Sequence, residues 1–399
     1  MRSMIARFGR PKGSVRSYNF LQENESVSMT SLFSPLTFNR GPAMKNRFML
    51  APLTNQQSHE DGVCSDEEFK WLTKRAEGGF GLTMTCAAHV QAEGKGFPGQ
   101  MGIFSDDHLP GLTRLAKAIK ANDSVSIVQL YHGGMRAPKE LIGMQPLSAS
   151  DNEKWGARAM TTAEVEAMIE AFIRGAQRAE QAGFDGVELH GAHGYILAQF
   201  LSPEINQRTD KFGGSLANRQ RLIFDILEGI RKGCGSNFMV GVRLSPERFG
   251  MKLPEVVQVA DQLMREDLIE FLDMSMWDVF KMPEDGVSQG KTLLSHFTEL
   301  DRKGCRLGVA GKLKTPAECQ RAMDAGVDWV MLGRAAIVHH DYPKLLQANE
   351  KFMPLETPVS PEHLRAEGLS DTFIEYMKLW KGFVKDNDGV IDNELILNS

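Results

Sequence analysis

Eight short apolar runs, each followed by a longer stretch with helical periodicity, constrain this 399-residue chain more than any other feature. The runs are Arg47–Pro52, Gly81–Cys86, Val125–Tyr131, Gly186–His190, Met239–Leu244, Ile269–Ser275, Leu307–Ala310 and Trp329–Leu332. They are rich in Val, Ile, Leu and Met, as strands covered on both faces of a parallel sheet must be. Between them, Ala163–Gln181 repeats Val165, Met168, Ile169, Phe172, Ile173 and Ala176 at three- and four-residue steps. Thr161 with Glu164 forms a capping-box start to that helix, and Gly183 supplies a stop. Leu109–Lys120 gathers Leu112, Leu115, Ala116 and Ile119 on one face, and Pro316–Asp324 follows Thr315 as N-cap with Pro316 in the first turn. Eight strand–helix units predict an α/β fold of the closed (β/α)8, or TIM-barrel, kind; an open doubly wound sheet is the competing arrangement.

The barrel is expected over residues 31–350. Residues 1–30 read as an unstructured leader: the opening stretch is basic, with no acid before Glu23, which also suits a transit peptide or an over-long start upstream of Met29. Pro-rich Met353–Pro361 separates the barrel from a helical extension over 351–399, with a helical segment at Pro361–Val384 and no role visible in the sequence. A net charge of −5, from 46 basic and 51 acidic residues, argues against nucleic acid or an acidic membrane as partner. No apolar run approaches the roughly 18 residues of a membrane span. The five cysteines contain no C-x-x-C pair, a pattern of reduced thiols in a cytoplasmic enzyme rather than of a disulfide framework, zinc site or iron–sulfur site. The oligomeric state stays open between monomer and homo-oligomer.

In such barrels the active site lies at the C-terminal ends of the strands. The polar residues that interrupt these apolar runs fall there: Thr54, Gln129, His132, His190, His193, Arg243, the pair Gly311 and Lys312, and the pair Gly333 and Arg334. The last four suit a phosphate, because the loops after strands seven and eight commonly build that site. Glycine lets backbone N–H groups approach the anion, and arginine adds a bidentate contact. The competing reading makes Gly333 a packing residue and Arg334 a surface charge.

His190 and His193 are three residues apart, so on a helical turn they would share a face, with Tyr195 just beyond. Two histidines can donate to one carbonyl oxygen and polarise a conjugated alkene, while a tyrosine hydroxyl protonates the α-carbon. The same histidines with Glu188 and His132 also offer ligands for a divalent metal in a lyase or hydrolase. Arg243 lies where a strand should be fully buried, so it needs an anionic partner: a carboxylate such as Glu188 or Asp273, or the negative N1–C2 edge of a reduced flavin.

The blocks Ala51-Pro-Leu-Thr54, Val128-Gln-Leu, His190-Gly-Ala-His-Gly-Tyr195, Arg208-Thr-Asp-Lys-Phe-Gly-Gly-Ser215, Val242-Arg-Leu-Ser-Pro and Leu332-Gly-Arg334 occur in that order and resemble the old yellow enzyme family over roughly residues 31–345. The resemblance implies FMN as cofactor, NADPH or NADH as electron donor, and an activated C=C bond in an enone, nitroalkene or maleimide as substrate. It implies that Thr54 bonds the flavin C4 carbonyl, Pro52, Leu53 and Ala87 pack on the ring, and Gln129 meets its pyrimidine edge. Arg243 would stabilise the anionic reduced form, and Gly311, Lys312, Gly333 and Arg334 would hold the phosphate. His190 and His193 would hold the substrate carbonyl, hydride would pass from flavin N5 to the β-carbon, and Tyr195 would protonate the α-carbon. A flavin-binding protein without turnover is a further alternative. Two positions depart from the family pattern: Gln56, where some bacterial relatives carry tyrosine, and Cys86, often glutamate.

Overall fold

The computed structural model describes residues 29–286 and 290–385. Eight parallel strands close into a barrel: β1 (Phe48–Leu50), β2 (Leu82–His89), β3 (Val125–Tyr131), β4 (Gly186–Gly191), β5 (Met239–Leu244), β6 (Phe271–Ser275), β7 (Arg306–Ala310) and β8 (Trp329–Leu332). β1 pairs with both β2 and β8, so the ring has no edge and the open-sheet alternative is excluded. Three of the expected strands keep their bounds; β2 runs three residues past Cys86, across a register irregularity between Met84 and Ala87.

The helices between strands follow from patterning and caps. They include α1 (Asp66–Glu77), α2 (Leu109–Lys120), α3 (Thr162–Gln181), α4 (Leu216–Gly233), α5 (Leu253–Arg265) and α6 (Pro316–Asp324). Thr161 and Thr315 each close a reciprocal capping box, with Glu164 and Glu318. Val165, Met168, Ile169, Phe172 and Ala176 are buried along α3. Truncating Phe172 to alanine there should cost about 3–5 kcal/mol through lost burial and a residual cavity.

Side chains at alternate positions of a strand face the barrel interior. At the N-terminal end that interior is apolar: Met49, Leu82, Met84, Val125, Ile127, Met239, Phe271, Trp329 and Met331 form one buried cluster. The segment Leu36–Met44 plugs this end, with the Phe38 ring 6.4 Å from Phe271 and 5.9 Å from Trp329. Further along the strands stand the buried polar residues Gln129, Asp273, Glu188, His190 and Arg243. The polarity gradient along the axis therefore places the chemistry at the C-terminal mouth.

Residues 1–28 and 386–399 of the expected leader and extension lie outside the described residues. The described chain begins in a 3-10 turn, Met29–Phe33, two residues earlier than the expected barrel start, and Ser31 Oγ donates to Gln320 on α6 at 3.0 Å. The helical segment Pro361–Val384 holds two helices, α7 (Pro361–Ala366) and α8 (Asp371–Lys378), separated at Gly368, whose φ of +91° favours glycine. α8 docks through Phe373, edge-on to Trp71 at 4.9 Å, and Ser370 N–H donates to Gln57 Oε1 at 3.1 Å. Among the described residues no helix is long and apolar enough to cross a membrane.

Candidate active site

A cavity of about 640 Å³ opens at the C-terminal mouth, within the usual size range of cofactor sites. Pro52, Leu53, Thr54, Ala87, Gln129, His190, His193, Tyr195, Arg243, Gly311, Lys312, Gly333 and Arg334 all line it. The residues named from strand-end position come from six of the eight strands and their following loops, the resemblance adds Ala87 from a seventh, and His132 alone of the positional set stays outside.

His190 lies near the end of β4, and His193 sits in the following turn with φ +58°. The pair does not share a helical face, as its spacing suggested; a strand end followed by a left-handed turn brings the rings to 5.0 Å between centroids. Tyr195 lies 5.0 Å from His190 and 6.3 Å from His193, and N-caps the short helix Ile196–Leu201. Burial first, then the cationic groups around them, Arg243 and Arg136 among these, hold both imidazoles well below the ordinary histidine range, so both are neutral. A backbone hydrogen bond assigns the His190 tautomer. His190 Nδ1 accepts from Ala192 N–H at 3.3 Å, which leaves the proton on Nε2, free for a ligand. Ser275 Oγ accepts from Arg243 Nη2 at 3.3 Å and lies 2.7 Å from His193 Nε2, where it donates when the His193 proton is on Nδ1 and accepts when it is on Nε2.

Two cationic groups meet the test of whether an anionic, ring-bearing cofactor suits this cavity. Arg243 is 5% exposed, yet its Nε has no hydrogen-bond partner, and the carboxylates expected as its structural partners do not bond to it. Arg334 is half-buried, no carboxylate among the described residues pairs with it, and desolvation lowers its pKa. A buried guanidinium that lacks acceptors is costly unless a ligand supplies them. A methyl group added at Gly333 would meet only Leu53, at 3.4 Å, so the backbone there faces open space. Lys312 adopts φ +53° and pairs with Asp278 at 3.3 Å, half-exposed. The residues present suit a flavin with a phosphate tail. Gln129 is the partial exception among the expected contacts: its Nε2 donates at 2.7 Å to Glu188 behind the cavity wall.

The metal alternative fails on geometry. Among the described residues, the one trio of His, Cys, Asp or Glu side chains whose ligand atoms lie within 4.8 Å of one another is His340, Asp341 and Glu367, away from the four residues expected. His132 points its Nδ1 at its own loop, accepting from Gly134 N–H at 3.0 Å, and does not line the cavity.

Several lining residues escaped the sequence reading. Tyr131 and Ser275 are the last residues of β3 and β6, so the strand-end criterion would have found them had it been applied to every strand. The Tyr131 ring stands edge-on to Tyr195 at 4.5 Å. Ser245, inside the quoted Val-Arg-Leu-Ser-Pro block, accepts from His193 N–H at 3.0 Å. Tyr376, Met377 and Trp380, from α8 and the turn after it, cover the cavity, and nothing in their local sequence announces this. Tyr376 sits beside Thr54 and Tyr195, its phenol pushed up to about 12 by burial.

The model of the NADH:flavin oxidoreductase / NADH oxidase family matches residues 31–351. The chain is 36% identical over 332 residues to a protein of Bacillus subtilis (strain 168) named "Probable NADH-dependent flavin oxidoreductase YqiG", covering 80% of this chain and 89% of that one. It is 33% identical over 343 residues to the NADH:fumarate oxidoreductase of Klebsiella pneumoniae (strain 342), where it covers 82% of itself but 37% of that longer protein. Among solved structures, the old yellow enzyme homologue from Zymomonas mobilis superposes with a TM-score of 0.73 at 28% identity, covering 86% of this chain and 99% of that one.

Proposed function

The chain belongs to the NADH:flavin oxidoreductase / NADH oxidase family, the FMN- and NAD(P)H-dependent oxidoreductases of old yellow enzyme type, and from that premise we propose that it reduces activated C=C bonds in enones, nitroalkenes and maleimides. The observation that carries this reading is one cavity holding two neutral imidazoles 5.0 Å apart, a tyrosine beside them and a buried arginine whose Nε meets no acceptor. FMN, when bound, supplies the hydride that the alkene β-carbon accepts.

The remaining roles belong to the chain. His190 Nε2–H and the N–H of His193 bond the substrate carbonyl oxygen, withdrawing electron density from the conjugated double bond and stabilising the enolate as it develops. Neutral imidazoles donate without surrendering a proton outright, which leaves the α-carbon to Tyr195. That ring is clamped by the Arg136 guanidinium at 4.9 Å and by Tyr131, so its hydroxyl is held in place for proton transfer. Arg243 offsets the negative charge of the reduced cofactor, while Gly311, Lys312, Gly333 and Arg334 hold its phosphate. Tyr376, Met377 and Trp380 exclude water above the reacting carbons.

The basic residues at the rim do not favour a free carboxylate substrate such as that in the name of the Klebsiella relative. Arg248 is paired with Glu284 at 2.9 Å, and Lys281 is neutralised by Glu247 and Glu284. Anaerobic titration of the purified protein with NADPH and with NADH, followed by a panel of cyclic enones, tests the proposal. Bleaching of the flavin and its reoxidation by an enone is the expected result; a colourless protein that takes up no FMN refutes it.

A further inference from the structure

Two carboxylic acids that the chemistry above leaves unused lie behind the cavity wall. Glu188 on β4 and Asp273 on β6 are both 0% exposed. The strand between them, β5, carries Arg243, which stands in register with His190 on one side and with Asp273 on the other. Glu188 Oε1 accepts from Gln129; no well-aligned donor meets Glu188 Oε2 or either oxygen of Asp273, and the two carboxyls instead face each other, with Trp329 Nε1 beside Asp273 and Arg243 Nε without an acceptor. Packing confines the pair: a methyl group at Gly308 would collide with both Asp273 Oδ1 and Trp329 Nε1.

Among the described residues Arg243 is the charged group facing both acids; the other titratable neighbour, the Cys305 thiol, is kept protonated by burial. Two ionised carboxylates beside one guanidinium would leave a net negative charge in a water-free space, which is strongly unfavourable. One proton shared between the acids brings the group to neutrality. Burial raises the proton affinity of both, and the neighbouring Glu188 raises that of Asp273 further.

We propose that Glu188 and Asp273 are a positioning pair that stores a redox-linked proton: together they hold one proton while the flavin is oxidised and neutral, and two while it is reduced and anionic. This rests on the flavin reading above. Reduction by the nicotinamide brings two electrons and one proton as hydride, and leaves one negative charge beside Arg243. That charge repels an ionised carboxylate and competes with it for the guanidinium, so the pair takes a second proton from solvent. When the alkene accepts the hydride, and a proton from Tyr195, the pair releases its extra proton and Tyr195 regains one. The cycle consumes one proton overall, as reduction of a C=C bond by NAD(P)H requires.

The test is potentiometric titration of the FMN holoenzyme at a series of pH values from neutral to mildly alkaline, with reduced-minus-oxidised infrared spectra of the same samples. The wild type is expected to show two protons per two electrons and a gain of protonated-carboxyl absorption on reduction. The Glu188→Gln/Asp273→Asn double variant should show one proton per two electrons and lose that absorption, whereas either single variant keeps one acid to titrate against Arg243; the amide introduced by Glu188→Gln still offers an acceptor to Gln129. Wild-type uptake of one proton without a carboxyl signal overturns the proposal. So does a two-proton slope that survives in the double variant, because the second proton then resides on the ring. The wild-type infrared experiment decides the matter should the double variant not fold. Failure to bind FMN would instead refute the flavin reading itself.

Discussion

Replacing Tyr195 with phenylalanine removes one hydroxyl and leaves the ring where it is. The ring is held by the Arg136 guanidinium at 4.9 Å, by the edge of Tyr131 at 4.5 Å and by His190 at 5.0 Å, and these ring contacts survive the change, while the hydroxyl's hydrogen bond with Tyr131 is lost. The variant therefore removes proton donation with the ring packing kept. A positioned general acid contributes roughly 10²–10⁴ in rate, or about 3–5 kcal/mol of activation free energy at 1.36 kcal/mol per tenfold. Stopped-flow measurement separates the two halves of the reaction. Reduction of the flavin by the nicotinamide should be unchanged within about twofold, because it requires no proton from residue 195, while reoxidation by a cyclic enone should slow by roughly 10²–10⁴-fold. Tyr131, whose ring packs against that of Tyr195, is the phenol best placed to substitute, and burial keeps it protonated. The Tyr131→Phe/Tyr195→Phe double variant should lose any residual rate that Tyr195→Phe retains. Reoxidation of the double variant at the wild-type rate would show that the proton reaches the α-carbon by another route, and the assignment of Tyr195 would fall.

His190→Ala should weaken binding of phenols, which mimic an enolate oxygen, by roughly 10–100-fold, the value of one hydrogen bond to a charged group, with FMN affinity unchanged; equal phenol affinity in spectral titration would remove His190 from the carbonyl site. Arg334→Ala should weaken FMN by about 1.5–3 kcal/mol but leave riboflavin, which lacks the phosphate, unaffected; equal losses for both would place Arg334 elsewhere. The C-terminal cover should loosen in acid. Burial raises Glu367, but the His340 hydrogen bonds at 2.6 Å outweigh it and hold the carboxylate below its ordinary range. With the folded pKa depressed, this contact stabilises above the unfolded pKa, and its contribution is lost as pH falls through the folded value. Hydrogen exchange of residues 361–380 should accelerate on acidification, and Glu367→Gln should show at neutral pH about 1–2 kcal/mol of the same loosening; a pH-independent exchange rate would dismiss the latch.

The barrel and most of its site were legible in the sequence because both depend on short-range rules. Two-sided burial forces the strands to be apolar throughout, so Gln129, His190 and Arg243 stand out as violations, and a strand-end position converts each violation into a site residue. Capping signals at Thr161 and Thr315 and the apolar stripe of α3 are equally local. Other features depend on distance in the chain. That Tyr376 and Trp380 reach a cavity lined by Thr54 follows from the docking of Phe373 on Trp71, roughly 300 residues apart in sequence. Helical spacing misjudged how His190 meets His193, because a left-handed turn is set by what Ser245 and Ser275 bond, not by the count of intervening residues. Register alone sets Arg243 between His190 and Asp273. Composition could mark each of those groups as unusual, but the electrostatics they share exist only where closure of the ring removes water from around all of them at once.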